Sequence, residues 1–181
     1  MKNNLLVAGI GNIFFGDDAF GCEVARRLMK RSWPTGVRVE DFGIGSYDLA
    51  YALMEGCDAI LIDACPRGEP PGTLYLIELE LDNLGAIGSS IADAHSMTPI
   101  SVLEMVKSMH VSLDGPGPGR LYLVGCEPAV LDSEDGAMGL SASVEEAVPR
   151  AVEMVESLIA DFLYGKIPNC PGLAGAAKGV R

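Results

Sequence analysis

Positive charge is scarce in this chain. Thirteen Lys and Arg stand against 25 Asp and Glu, a formal net charge of −12. A surface this acidic repels phosphate backbones, which argues against nucleic acid as a partner. No apolar run approaches the length of a membrane span, so no membrane association is expected. The opening Met1-Lys2-Asn3-Asn4 runs straight into Leu5-Leu6-Val7-Ala8 and a glycine turn, which is too short for a signal peptide. The cysteines Cys22, Cys57, Cys65, Cys126 and Cys170 are odd in number, widely spaced and without a CxxC pair. They read as reduced thiols of a cytoplasmic protein. The Gly9-Ile10-Gly11 turn lacks the third glycine of a dinucleotide-binding GxGxxG, because Phe14 stands there.

What is present suits a folded domain. The chain has 181 residues, is 49% hydrophobic and only 6% aromatic, and draws its apolar content mostly from Ala, Val, Leu and Ile. That is enough for one domain with a real core. Residues 1–164 are expected to form that single domain. The Gly-, Ala- and Pro-rich stretch 165–181 is expected to be a flexible tail.

Strand and helix signals alternate. Residues 5–8 form a continuous apolar run ended by Gly9, as in a strand covered on both faces. Asp17 is placed to cap a helix whose Phe20, Val24 and Leu28 recur every four residues. Its last turns carry Arg26, Arg27, Lys30 and Arg31, where cations suit the helix dipole. Strands are predicted at 37–42, 59–62, 72–79 and 121–124, with a helix at 47–54. Residues 82–95 and 115–119 read as loops. Thr98 followed by Pro99 starts another helix, whose apolar face includes Met105 and Met109. Those two, with Met97, are read as packing and not as a soft-metal site. His110 at the end of this helix is read as a dipole partner. Ser143 with Glu146 is a capping box for a last helix, with Val148, Val152, Val155, Ile159 and Phe162 on one side and Pro149 close to its start. This rhythm predicts a three-layer αβα sandwich. Its sheet is mostly parallel, mixed, and of about five strands.

In such sheets, sites form outside the carboxyl ends of the strands. Three short pieces put ligand side chains there: Gly9-Ile10-Gly11-Asn12 leading to Asp17-Asp18, then Ile62-Asp63-Ala64, then Asp93-Ala94-His95-Ser96. Taken singly, each has a plain reading. Asp17 and Asp18 suit a helix start. Asp63 suits a turn before Cys65-Pro66. His95 suits a backbone bond ahead of a helix. Together, two carboxylates and an imidazole are an ordinary ligand set for nickel or zinc, and they leave coordination positions open for another molecule.

These residues resemble a known family. Gly9-x-Gly11-Asn12 followed by Asp17-Asp18-x-x-Gly21 is similar to the opening signature of the hydrogenase maturation proteases. The likeness continues through Ile62-Asp63-Ala64, His95-Ser96, Val124-Gly125-Cys126-Glu127-Pro128 and Gly139-Leu140-Ser141, spanning about residues 5–163. Two departures are visible: Asp18 stands where some members have Glu, and Glu127-Pro128 where Gln-Pro is frequent.

The resemblance implies an endopeptidase that makes one cut in the NiFe-hydrogenase large-subunit precursor after nickel insertion, releasing its C-terminal extension. It implies that Asp18, Asp63 and His95 contact a divalent metal. That metal is nickel presented by the substrate, with zinc or another divalent cation able to substitute. Asp18 or Asp63, or the metal itself, would activate the water. The chain has no HExxH and no serine or cysteine triad spacing, which disfavours an ordinary zinc or nucleophilic protease. Two rivals stay open: a non-enzymatic nickel-binding assembly factor, and a peptidyl-tRNA hydrolase-like enzyme, which the acidic charge disfavours.

Overall fold

The computed structural model describes residues 4–84, 98–113, 116–131 and 138–165. Five strands form one sheet in the order β2-β1-β3-β5-β4: β1 Leu5–Ile10, β2 Val37–Gly43, β3 Asp58–Ala64, β4 Leu74–Leu79 and β5 Leu121–Cys126. β2, β1, β3 and β5 run parallel, and β4 lies antiparallel to β5 at the edge. The helices are α1 Phe20–Met29, α2 Ser46–Met54, α3 Pro99–Leu113 and α4 Ala142–Leu163, with a 3-10 turn over Gly16–Ala19 ahead of α1. Among the described residues, no helix is long and apolar enough to cross a membrane.

The central strands are buried along their whole length, as their continuous apolar runs require. Their side chains alternate between two cores. Leu5, Val7, Ile60, Ile62, Tyr122 and Val124 pack against Phe20, Val24 and Leu28 of α1 and the apolar side of α4. Leu6, Ala8, Ile10, Ala59, Leu61, Leu121 and Leu123 pack against Leu49 and Leu53 of α2 and Val102, Leu103 and Val106 of α3. The result is the three-layer mixed sandwich expected from the sequence. Met105 and Met109 pack on the second core. Cys22, Cys57, Cys65 and Cys126 are free and buried.

Several local expectations change. α3 starts as predicted, with Thr98 Oγ1 accepting from Ser101 N at 3.2 Å and Ser101 Oγ accepting from Thr98 N at 3.2 Å. The Ser143–Glu146 box does not form. Ser141 is the N-cap residue of α4, and it makes no capping bond because its hydroxyl is held elsewhere. Pro149 lies inside α4, which continues through it. Asp17 does not cap α1. It lies in the 3-10 turn, and the residue before α1 is Ala19, without a side-chain cap. The expected tail from 166 onward, most of the 82–95 loop, Met97 and Cys170 lie outside the described residues.

The connections from β1 and β3 diverge. β1 leads through α1 to β2 at one edge of the sheet; β3 leads to β4 at the opposite edge. A crevice at the carboxyl ends of two neighbouring strands with such diverging connections is where α/β sheets bind ligands.

Candidate functional site

Asp18 and Asp63 flank that crevice. Asp63 is the penultimate residue of β3, paired in register with Gly125 of β5. It is buried, and its Oδ1 accepts the Ala64 N–H at 2.9 Å. Asp18 stands in the 3-10 turn that follows β1. It is half-buried, and its Oδ2 accepts the Asn12 N–H at 2.7 Å. Asn12 Oδ1 in turn accepts from Phe14 N at 3.0 Å, a local bond that shapes the loop.

Two glycines make this approach possible. Gly11 has φ +132°, and a Cβ there would stand 1.8 Å from the Asp18 carbonyl oxygen. A Cβ on Gly21 would stand 2.1 Å from Ile62 O and 2.3 Å from Ile10 O. The first turn of α1 therefore presses directly onto the ends of both β1 and β3. The spacing of the opening motif is the spacing of these backbone approaches.

Among the described residues, no opposite charge compensates the pair. Burial, then the charge of Asp18, hold the Asp63 carboxyl well above the usual carboxylate range, against the Ala64 hydrogen bond. Burial also raises Asp18, partly offset by the Asn12 hydrogen bond. Among the described residues neither aspartate forms an ion pair. Arg26 of α1 is engaged with Asp41 at 2.8 Å. Two carboxylates with shared repulsion and no basic partner favour a bound cation. Among the described residues, no three His, Cys, Asp or Glu side chains are grouped to hold a metal ion. His95, the expected third ligand, lies outside them.

The thiols near the site are not nucleophiles. Cys22 donates to Gly11 O at 3.4 Å and is pushed up to about 12, mainly by burial and then by Asp41. Cys126 is likewise pushed up to about 12, and burial raises Cys65 still more firmly. A thiol so far from ionisation carries no thiolate at neutral pH.

Two further acidic residues shape the site's walls. Asp17 is fully buried, and its Oδ2 accepts from Ala129 N at 2.7 Å, Val130 N at 3.0 Å and Ser141 Oγ at 2.9 Å. Its Oδ1 accepts from Ser141 N at 2.6 Å. Glu127, just past β5, accepts from Arg67 N at 2.8 Å, Gly68 N at 3.0 Å and the Tyr75 hydroxyl, tying the loop after β3 to β4. Sequence reading assigned neither role. An Asp-Asp pair signals a helix start as readily as a buried hub, and the donors to both carboxylates are mostly backbone groups distant in the chain.

The cavity of about 200 Å³ bordered by Asn4, Gly36, Arg38, Glu55 and Cys57 opens at the amino ends of the strands, opposite this chemistry.

The family described as hydrogenase maturation protease, HycI, matches residues 22–158. The chain belongs to this family. A Methanocaldococcus jannaschii protein with the provisional name of a hydrogenase maturation protease is 32% identical over 157 residues, covering 85% of this chain and 95% of that protein. The hydrogenase-maturating endopeptidase HybD of E. coli superposes with a TM-score of 0.71 at 26% identity, over 87% of this chain and 93% of its own. The hydrogenase 2 maturation peptidase of a Thaumarchaeota archaeon gives 0.64 at 30% identity, over 87% and 99%. As a hydrogenase maturation protease this chain is a hydrolase of peptide bonds, on the α/β fold of its relatives.

Proposed function

We propose that this protease makes a single cut that releases the C-terminal extension of a NiFe-hydrogenase large-subunit precursor. In this reading the precursor arrives with nickel in place, and Asp18, Asp63 and His95 complete the coordination of that nickel. The observation that carries the reading is the Asp18–Asp63 pair. It is two carboxylates at the diverging ends of β1 and β3, with raised proton affinity and no ion-pair partner among the described residues. A cation brought by the substrate relieves their repulsion, so recognition and metal loading become one event.

The chemistry follows from the donor set. Ligands from one protein leave open positions on nickel, which thiolates of the precursor fill. The shared metal then registers the scissile bond against the site. A carboxylate whose proton affinity is raised by burial is a suitable general base for the attacking water. Exposed Phe14, Phe15, Ile44 and Val130, on the loops after β1, β2 and β5, give this edge the apolar character that a macromolecular substrate needs.

The test is incubation with nickel-loaded and nickel-free precursor, read by mass spectrometry of the precursor's C-terminus. Release of the extension only from the loaded form is expected. Metal-dependent association without any cut would make the protein an assembly factor instead.

A further inference from the structure

We propose that Asp17 is a positioning residue for the precursor-recognition site, holding Asp18 in place from behind. The inference rests on the reading that Asp18 contacts the precursor's nickel. An ionised carboxylate offers about four acceptor directions. The Asp17 carboxylate has four donors on it: the N–H groups of Ala129, Val130 and Ser141, and the Ser141 hydroxyl. It has no ion-pair partner among the described residues and is 0% exposed, so it does not face a metal or a substrate.

Its position gives it another task. Asp17 and Asp18 share a peptide unit within the 3-10 turn. The backbone on either side of that unit is gripped. Asp17 N donates to Val130 O at 3.1 Å while the Asp17 side chain takes up the segment after β5 and the start of α4. On the other side, the Asp18 carbonyl lies against Gly11, where even a Cβ would not fit. Among the described residues, the Asp18 side chain has only the Asn12 N–H bond to orient it, so its direction is inherited from this backbone. The Ser141 hydroxyl is spent on Asp17 and not on capping α4. That local loss fits a side chain committed to the site's support.

Partners that orient a metal-contacting group typically change affinity or activity 10–100-fold when altered. Asp17→Asn is isosteric but turns an NH2 group toward N–H donors. It is expected to cut processing of nickel-loaded precursor by at least tenfold. The readout that separates positioning from general stability is the amide proton shift of Asn12 in the NMR spectrum, which reports its bond to Asp18. That shift should move in Asp17→Asn and stay unchanged in Val155→Ala, a core variant of α4 that lowers stability away from the site and should process normally. Should Asp17→Asn fail to fold, Ser141→Ala removes one donor and should give a smaller loss with a partial shift of the same signal. An unchanged Asn12 signal in the folded variants, or normal processing despite a moved signal, overturns the inference. If the wild type cuts no precursor, or Asp18→Ala cuts normally, the functional reading fails instead. The Asn12 signal still decides whether Asp17 orients Asp18.

Discussion

Asp18 and Asp63 meet across the ends of β1 and β3, and the charge of the first raises the proton affinity of the second, which burial has already raised. The fold thus maintains an arrangement that costs it stability at neutral pH. Such a cost at a site of this kind points to function, since a buried acid with no ion-pair partner among the described residues does not stabilise the core at neutral pH.

Replacing Asp63 by Asn exposes that cost. Asn keeps the oxygen that accepts from Ala64 N but carries no charge. A carboxyl raised in the folded state binds its proton more tightly there than in the unfolded chain. Its favourable contribution is therefore complete below the ordinary carboxylate pKa, near 3.8, and is lost as pH rises through the folded value. Asp63→Asn should melt a few degrees higher than wild type at pH 7, and the gap should close as pH falls toward 4. Processing should be lost throughout. Thermal unfolding across this range checks the sign: a variant less stable than wild type at pH 7 would mean that the charge is compensated.

Gly21→Ala should be among the most damaging single-methyl changes in the chain. The added carbon would meet two backbone carbonyls, of Ile62 and Ile10, at 2.1 and 2.3 Å, and neither can turn away as a side chain would. α1 must move off the sheet, at a cost of about 3 kcal/mol or more. Urea unfolding should show that loss, and processing should fall with it because Asp18 and Asp63 are the ends being pried apart. A loss under about 1 kcal/mol would show that α1 shifts freely.

The layers and the positions of Asp18 and Asp63 were legible in the sequence because their signals are local. Apolar runs such as residues 59–62 end at a strand's carboxyl terminus, and Asp63 stands on that boundary. The α3 start was legible for the same reason, with Thr98, Pro99 and Ser101 lying within one turn. The role of Asp17 is misread, and Ser141 is passed over in favour of Ser143 as the helix cap, because the energetics of Asp17 and Ser141 are not local. Each suits a helix start by type, yet they bind one another, and nothing in the residues between them announces the pairing. Glu127 is similar: its donors at 67, 68 and 75 come from a loop and a strand that only the antiparallel β4 brings alongside.

Glu127 offers a graded test. Gln at this position keeps one oxygen for the Arg67 and Gly68 N–H groups and turns its NH2 to the Tyr75 oxygen, which can accept once its own hydrogen rotates away. Glu127→Gln should change stability by about 1 kcal/mol or less and leave processing intact. Glu127→Ala strands two N–H groups beside a cavity and should cost about 3 kcal/mol. Chemical denaturation of the two variants should separate them clearly. Equal losses would mean that the negative charge, and not the acceptor geometry, holds the loop.

The metal dependence should belong to the substrate. Asp18 and Asp63 supply only part of a coordination sphere, so the isolated protein should bind free nickel weakly, and calorimetry should show it. Treating the protease alone with a chelator, then removing the chelator, should leave processing of nickel-loaded precursor nearly unchanged. Withholding nickel from the precursor should stop it. Asp18→Ala, Asp63→Ala and His95→Ala should each abolish the cut while retaining the fold. For Asp18→Ala the lost bond to Asn12 costs about 1–2 kcal/mol, short of unfolding a domain of this size. Generic peptides, which bring no metal to neutralise the two carboxylates, should survive intact. Efficient cleavage of such peptides, or of nickel-free precursor, would mean that the aspartate pair works without the cation its repulsion calls for, and would make it an ordinary acid–base dyad.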